Sequence, residues 1–358
     1  MAKEIKKIVV KIGSSVIAPG GRLNSGLVSQ LVKDILTAEK KGYKIVLVSS
    51  GAIACGLNRL GFKKRPQDMH TLMAISSFGQ IILMDVFNEK FKKYKRKCAQ
   101  LLLIWDDFDD RKRFMNVKKT IDNLLSMNII PVINENDVVS HEEIGFGDND
   151  RLSALVTDLI GAEKLIILSD IEGLLNQDKV VKKVERIDSC IVSLAKSEDK
   201  THTKGGMITK LQAAQIATSS GATTVIACGS TKDVISSSVA GDEIGTLFIP
   251  SQKPGKARKR WIAFSKKAKG KIFIDKGAQD ALLCRGKSLL AVGIINKEGL
   301  FKIGDKVSIV DQDGVLIGYG LTNYDSEQLQ DAKQKRFAKE VIHRDNFVKI
   351  SQDEWCDL

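Results

Sequence analysis

The chain is 358 residues long, 43% hydrophobic and 28% charged, a balance that excludes a disordered or fibrous polymer and supplies enough chain for two ordinary cores. Its net charge of +13 admits either an anionic small substrate or a nucleic-acid partner. No apolar run approaches the ~18 residues that a membrane helix needs, and residues 1–7 lack the apolar stretch of a signal peptide, so a cytoplasmic protein free of membranes is expected.

In chain order, residues 8–13 (Ile-Val-Val-Lys-Ile-Gly) read as a buried strand closed by a glycine turn, and residues 26–41 carry helical periodicity through Leu27, Leu31, Ile35 and Leu36. Residues 44–51 are a second apolar run, closed by Ser-Ser-Gly. The pattern then predicts a helix at about 71–93, a strand at 98–104, a helix at 113–127 and a strand at 128–137 that ends in Asn-Glu-Asn-Asp. A helix at about 150–161 precedes a strand at 164–170. A hairpin-like stretch follows, then a helix at 205–219 and a last strand at 224–227. Strands alternating with helices predict an α/β fold, a mostly parallel sheet flanked by helices on both faces. The pattern changes near Pro250. Residues 251–260 read as a basic, Pro/Gly-containing connector. Beyond it, short β-like pieces at 271–274, 288–295, 306–310 and 315–321 alternate with Gly-rich turns, which predicts a small β-rich domain. The expected domains are therefore 1–258 and 270–350.

In an open parallel sheet, ligands bind beyond the carboxyl ends of the strands. Four polar clusters fall at those ends: Gly13-Ser14-Ser15, Ser49-Ser50-Gly51, residues 134–137 and Ser169-Asp170. Turns need the same residue types, but four clusters on successive strands point to a site. Neither G-x-x-x-x-G-K-[ST] nor a G-x-G-x-x-G after the first strand is present, which excludes two common nucleotide-binding classes. Lys11 lies inside an apolar strand, where a lysine is costly unless an anion meets it; an edge-strand lysine turned to solvent is the other reading. Gly13-Ser14-Ser15 offers amides to phosphate oxygens. Ser49-Ser50-Gly51-Ala52 either does the same or caps a helix. Residues 145–150 (Gly-Phe-Gly-Asp-Asn-Asp) precede a helix that Asn149 or Asp150 either caps or leaves in order to orient cations. Gly205-Gly206-Met207-Ile208-Thr209-Lys210 opens another helix, with free leading amides and a lysine one turn in. Six cysteines without a C-x-x-C and four histidines without metal-site spacing read as reduced thiols and speak against zinc. No protein metal ligands are assigned.

The segments Val-Val-Lys-Ile-Gly-Ser-Ser at 9–15, Ser-Ser-Gly-Ala-Ile-Ala at 49–54 and Pro-Val-Ile-Asn-Glu-Asn-Asp at 131–137 resemble, in order and spacing, the amino acid kinase family. Gly-Asp-Asn-Asp at 147–150, Ser-Asp-x-x-Gly-Leu at 169–174 and Gly-Gly-Met-x-Thr-Lys at 205–210 continue the likeness. Within the family, the pair at 134–137 and 147–150 is similar to members that phosphorylate glutamate. Residues 270–278, 286–290 and Gly304-Asp305 resemble a PUA domain. Together the resemblances span about residues 7–350.

The resemblance implies ATP-dependent phosphorylation of the γ-carboxylate of L-glutamate, the first step of proline biosynthesis. It implies that Lys11 and Lys210 stabilise the transferring phosphoryl group while Asp150 holds their ammonium groups. Ser50, Gly51, Asp137 and Asn149 would bind glutamate, with Asp137 at its α-ammonium. Lys11, Gly13, Ser169, Asp170, Lys204, Gly205, Gly206, Met207, Ile208, Thr209 and Lys210 would bind ATP, with Mg²⁺ held chiefly by ATP oxygens. The chain departs from the family at His202-Thr203-Lys204, where small residues and glycine usually precede Gly-Gly-Met; Lys204 either narrows the loop or adds a phosphate contact. The resemblance further implies a homo-oligomer, feedback inhibition by proline and hand-over of a labile product to a glutamyl phosphate reductase. Acetylglutamate, aspartate, carbamate or a nucleoside monophosphate are the rival acceptors. Residues 253–276 hold ten Lys/Arg against one acid, Asp275, but aromatic residues do not interleave with them as a stacking platform needs; Trp261 and Phe264 are the candidates. A solvated linker is the preferred reading, and nucleic acid is not an expected partner.

Overall fold

The run Ile-Val-Val-Lys-Ile at 8–12 is rich in β-branched side chains that suit a pleated, buried strand, and in the computed structural model it forms the middle of a sheet. Residues 6–140, 149–198, 206–251, 257–264, 268–330 and 337–349 are described by the structure. The chain divides into two compact units, Met1–Pro254 and Gly255–Leu358.

In the first unit, β1 (Lys6–Ile12) leads into the single turn α1 (Ser14–Ile17) and then α2 (Ser25–Lys40). Next come β2 (Tyr43–Ser49), α3 (Ala52–Arg59), α4 (Met69–Lys92), β3 (Lys97–Leu103), α5 (Asp106–Asp109), α6 (Arg111–Ser126) and β4 (Ile129–Glu135). After them lie α7 (Asn149–Ile160), β5 (Lys164–Ser169), the hairpin β6 (Leu175–Asn176) and β7 (Lys179–Val180), β8 (Lys183–Val184) and α8 (Ser189–Glu198). The unit ends with α9 (Met207–Ser219), β9 (Thr223–Cys228), α10 (Val234–Ala240) and β10 (Thr246–Phe248).

The sheet order is β3-β4-β2-β1-β5-β9-β10-β8. It is parallel except where β10 runs antiparallel to β9, and helices flank it, as the alternation of strands and helices predicts. β1 lies between β2 and β5, with Lys11 opposite Val48 on one side and Ile167 on the other. This register brings the carboxyl ends of the central strands to one edge of the sheet. The side chains beneath that edge are apolar: Ile8, Val10, Ile12, Ile45, Leu47, Ile166 and Leu168 are buried in one cluster with the buried faces of α2 and α4.

Local chemistry sets the helix ends. The Asn24 side chain accepts the Leu27 N–H at 3.0 Å and starts α2. Asp68 does the same for α4 through Thr71 N–H at 2.7 Å, and Asp110 starts α6 through Arg113 N–H at 2.8 Å. Asp34, buried on α2, receives the leading amides of α10, Ile235 N–H at 2.6 Å and Ser236 N–H at 2.9 Å. α3 and α4 approach backbone to backbone. A Cβ on Gly79 would lie 1.9 Å from the Ala52 carbonyl oxygen, and one on Gly56 would lie 2.2 Å from that of Ile75. Only glycine permits this crossing. α4 is also the described helix long and apolar enough, by length and composition, to cross a membrane, which departs from the expectation that no stretch approaches that limit. Its buried face, from Leu72 through Leu83 to Phe91, belongs to this unit's core.

In the second unit, α11 (Ala257–Phe264), β11 (Gly270–Ile274), α12 (Lys276–Leu283), β12 (Ile294–Gly299), β13 (Lys306–Val310), β14 (Leu316–Leu321) and β15 (Phe347–Lys349) build a separate core. The sheet order is β12-β11-β13-β14-β15, with only β11 and β13 parallel among its neighbours.

Several sequence expectations are corrected. Residues 257–260 of the expected connector begin α11. Residues 288–295 are not one strand: Leu289 makes a single bridge to Ile342, residues 291–293 form a 3₁₀ turn, and the strand begins at Ile294. β9 is not the last strand of its sheet, because the three-residue β10 follows it. Helices α1, α5, α8, α10 and α12 and strand β15 are not among the elements that the sequence predicts.

Candidate active site

The register of β1 with β2 and β5 places Lys11 one residue from the ligand edge of the sheet. β1 is a central strand, so the edge-lysine reading fails. Lys11 is 6% exposed, Lys210 is 5% exposed, and Asp150 between them is 2% exposed. Lys11 Nζ stands 2.5 Å from Asp150 Oδ1. Lys210 Nζ stands 3.3 Å from Asp150 Oδ2, which also accepts the Thr209 hydroxyl at 3.0 Å. These residues come from β1, the first turn of α7 and the first turn of α9. Burial alone would raise the Asp150 carboxyl, but the Lys11 and Lys210 ammonium groups and the Thr209 hydroxyl outweigh it and hold it below the usual range. Among the described residues, Asp150 pairs with both buried ammonium groups, which gathers positive charge where an incoming anion is received.

An open cleft of about 560 Å³ runs along this edge. Lys11, Gly13, Ser50, Gly51, Asp137, Asn149, Asp150, Ser169, Asp170 and Lys210 all line it. Among the remaining sequence-assigned residues, Lys204 and Gly205 lie outside the described residues. Gly206, Met207, Ile208 and Thr209 are not on the cleft wall. Met207 is a core side chain, Gly206 precedes α9 without a side-chain cap, and Thr209 acts on Asp150.

At one end of the cleft, the Gly13 amide is already taken by the Leu168 carbonyl at 3.0 Å. Glycine keeps this approach uncrowded, because a Cβ would sit 3.1 Å from that same oxygen. The turn therefore presents the Ser14 and Ser15 amides, the leading ones of α1, rather than the amide of Gly13. Ser15 and Ser169 hydroxyls donate to Asp170 Oδ1 at 3.1 and 3.0 Å. Burial would raise the Asp170 carboxyl, but its backbone hydrogen bond, these two hydroxyls and the charge of Lys210 hold it low.

At the other end, Asn149 Nδ2 donates to Ser50 Oγ and Asn134 Oδ1, both at 2.9 Å. Asn134 Nδ2 donates in turn to Gln80 Oε1 at 2.7 Å. Among the described residues, Asn149 Oδ1 is buried without a hydrogen-bond partner. Gly51 has φ +107°, and a Cβ there would meet Ile17 Cγ2 at 2.6 Å; no other residue fits that turn. Asp137 is buried and accepts the Ser76 hydroxyl. Burial pushes its carboxyl above the usual range, with the Ser76 hydroxyl and the charge of Arg65 opposing the rise.

The sequence reading gives Ser14 and Ser15 a share in a phosphate-facing turn, leaves Asn134 inside its motif without a role, and misses Arg65, Ser76 and Gln80. Ser76 and Gln80 leave a readable signal, since they are polar residues four apart on the otherwise apolar buried face of a helix. Arg65, in the segment between α3 and α4, leaves none.

The model of the amino acid kinase family matches residues 6–228, and that of the PUA domain matches residues 270–344. The glutamate 5-kinase of Caldanaerobacter subterraneus subsp. tengcongensis is 41% identical over 367 residues, covering 97% of this chain and 99% of its own length. That of Dictyoglomus turgidum is 42% identical over 369 residues, covering 98% and 99%. That of Nitrosococcus oceani is 38% identical over 367 residues, covering 97% and 98%.

Proposed function

The chain belongs to the amino acid kinase family, and from that premise we propose that its cleft transfers the γ-phosphoryl group of ATP to the γ-carboxylate of L-glutamate, giving γ-glutamyl phosphate and ADP. The observation that carries this reading is Asp150 pinned between Lys11 and Lys210. Full-length likeness to glutamate 5-kinases supports glutamate as the acceptor and the first step of proline biosynthesis as the setting.

A side-chain carboxyl with an ordinary pKa of about 4.3 is already ionised at neutral pH. No general base is required to make it a nucleophile. The work left to the protein is to bring two anions into line and neutralise the charge that builds on the phosphoryl oxygens. Lys11 and Lys210 supply that charge, and Asp150 fixes both ammonium groups before substrate arrives. Asp137 receives the α-ammonium of glutamate, and Ser50, Gly51 and Asn149 receive its carboxylates and backbone. Gly13, Ser169, Asp170 and residues 204–210 form the nucleotide side. Mg²⁺ enters with ATP as part of the substrate. Both oxygens of Asp150 already face ammonium groups and Asp170 is held by two hydroxyls, which supports coordination of the ion chiefly by phosphate oxygens.

The kinase module spans 1–258 and the PUA-like module 270–350 in this reading. A homo-oligomer is part of it as well, supported by Phe78 and Ile81, exposed three residues apart on α4. Proline as feedback inhibitor, a cytoplasmic setting and hand-over of the labile acyl phosphate to a reductase complete it.

The test is a hydroxylamine trap. Purified protein with ATP, Mg²⁺ and hydroxylamine is offered glutamate, acetylglutamate, aspartate and a nucleoside monophosphate in turn. Hydroxamate formed with glutamate alone is the expected outcome, and turnover with another acceptor alone overturns the reading.

A further inference from the structure

Along its buried face α4 carries Leu72, Ile75, Leu83, Phe87 and Phe91, together with two polar side chains one turn apart, Ser76 and Gln80. Neither is needed to dock the helix, because the Gly56 and Gly79 crossing already locks α4 against α3. A polar group on a buried face is unfavourable unless its hydrogen bond does something in return. Gln80 ends the amide chain through Asn134. Ser76 does something different: it is buried and gives its hydroxyl to Oδ2 of Asp137, a carboxylate that lines the cleft.

We propose that Ser76 is a positioning residue for acceptor recognition, fixing the Asp137 carboxylate so that one oxygen is tied to α4 and the other is presented to the ammonium group of an amino-acid acceptor. Arg65 makes this restraint necessary. It is exposed, lines the same cleft and acts on Asp137 electrostatically. An unrestrained carboxylate would turn toward that guanidinium and be lost to the substrate. Ser76 holds Asp137 from the core side, so the ammonium group and not Arg65 completes its coordination. The inference rests on Asp137 as the acceptor's ammonium site.

A double-mutant cycle tests it, using the hydroxamate assay on the full chain as wild type, Ser76→Ala, Asp137→Ala and the double variant. Ser76→Ala is expected to raise the KM for glutamate about tenfold, as for loss of a hydrogen bond to a charged group, with kcat and the KM for ATP unchanged. Ser76→Thr, which keeps the hydroxyl, is expected to restore the KM. In the Asp137→Ala background the same change should move the KM by less than about twofold. Equal effects of Ser76→Ala in both backgrounds, or a wild-type KM in Ser76→Ala, overturn the proposal while leaving the acceptor reading intact. A wild-type KM in Asp137→Ala overturns the acceptor reading itself. Ser76→Cys, similar in size but a weak donor, reports the same KM shift should the alanine variant fold poorly.

Discussion

Asp150 touches the nucleophilic chemistry only through others: its two oxygens face Lys11 and Lys210, and these two ammonium groups meet the phosphoryl group. Lys11→Ala and Lys210→Ala are therefore each expected to lower kcat by about 10²–10³-fold, the usual cost of removing one preorganised stabiliser of developing charge. Steady-state assays at saturating glutamate check this. Asp137 makes the contrasting case. Its carboxyl is pushed up by burial, and only its ionised form pairs with an ammonium group. As pH falls through that raised pKa, the KM for glutamate is expected to climb. Asp150, held low, stays ionised over the same interval, so kcat keeps its value there. In Asp137→Asn the KM should be high and flat across that pH range. A wild-type pH profile in the variant would assign the titration to another group. The two carboxylates were legible in the sequence as members of polar clusters at strand ends. Their opposite environments were not, because those depend on Lys210, Ser76 and Arg65, which the chain brings in from α9, from α4 and from the segment between α3 and α4.

Elements explain why these side chains meet. β1, β2 and β5 are aligned by parallel pairing, which makes the three strand ends neighbours although the chain visits them far apart. This much was readable, since each strand is a continuous apolar run that ends in Gly, Ser or Asp. Short or half-exposed elements were not readable. β10 has three residues, and β12, Ile-Ile-Asn-Lys-Glu-Gly, is mostly exposed, so neither carries enough periodicity to stand out from a loop. The α3–α4 crossing is legible only in three dimensions. Gly56 and Gly79 look like ordinary helix-weakening glycines in sequence, yet they face another backbone. Gly79→Ala would place a methyl group against the Ala52 carbonyl. Overpacking of this kind costs ~1–3 kcal/mol, and here the opposing atom is backbone and cannot rotate away. Thermal melting is expected to show the loss. The KM for glutamate should rise with it, because α4 carries Ser76 and Gln80 beneath the acceptor end of the cleft. A lower melting temperature with an unchanged KM would show that the crossing supports the fold without setting the site.

At the scale of the whole molecule, the two units each own a buried core, one around β1 and α2 and one around β11, β13 and Ile342. The buried cationic pair of the cleft, Lys11 and Lys210, belongs to the first unit, where both face Asp150. A ligand that binds the folded form but not the unfolded one adds RT ln(1 + [L]/Kd), about 2.7 kcal/mol at a hundredfold excess over Kd. For a unit of some 250 residues that is a rise of several degrees in melting temperature. Two separate cores predict two calorimetric transitions. A non-hydrolysable ATP analogue with Mg²⁺ is expected to raise the transition of the first unit and leave that of the second in place. Lys210→Ala should shrink the rise, since it removes half of the cationic pair without touching either core's apolar contacts. A single transition that moves as a whole would mean that the second unit unfolds with the first, and nucleotide binding would then stabilise both through one cooperative system.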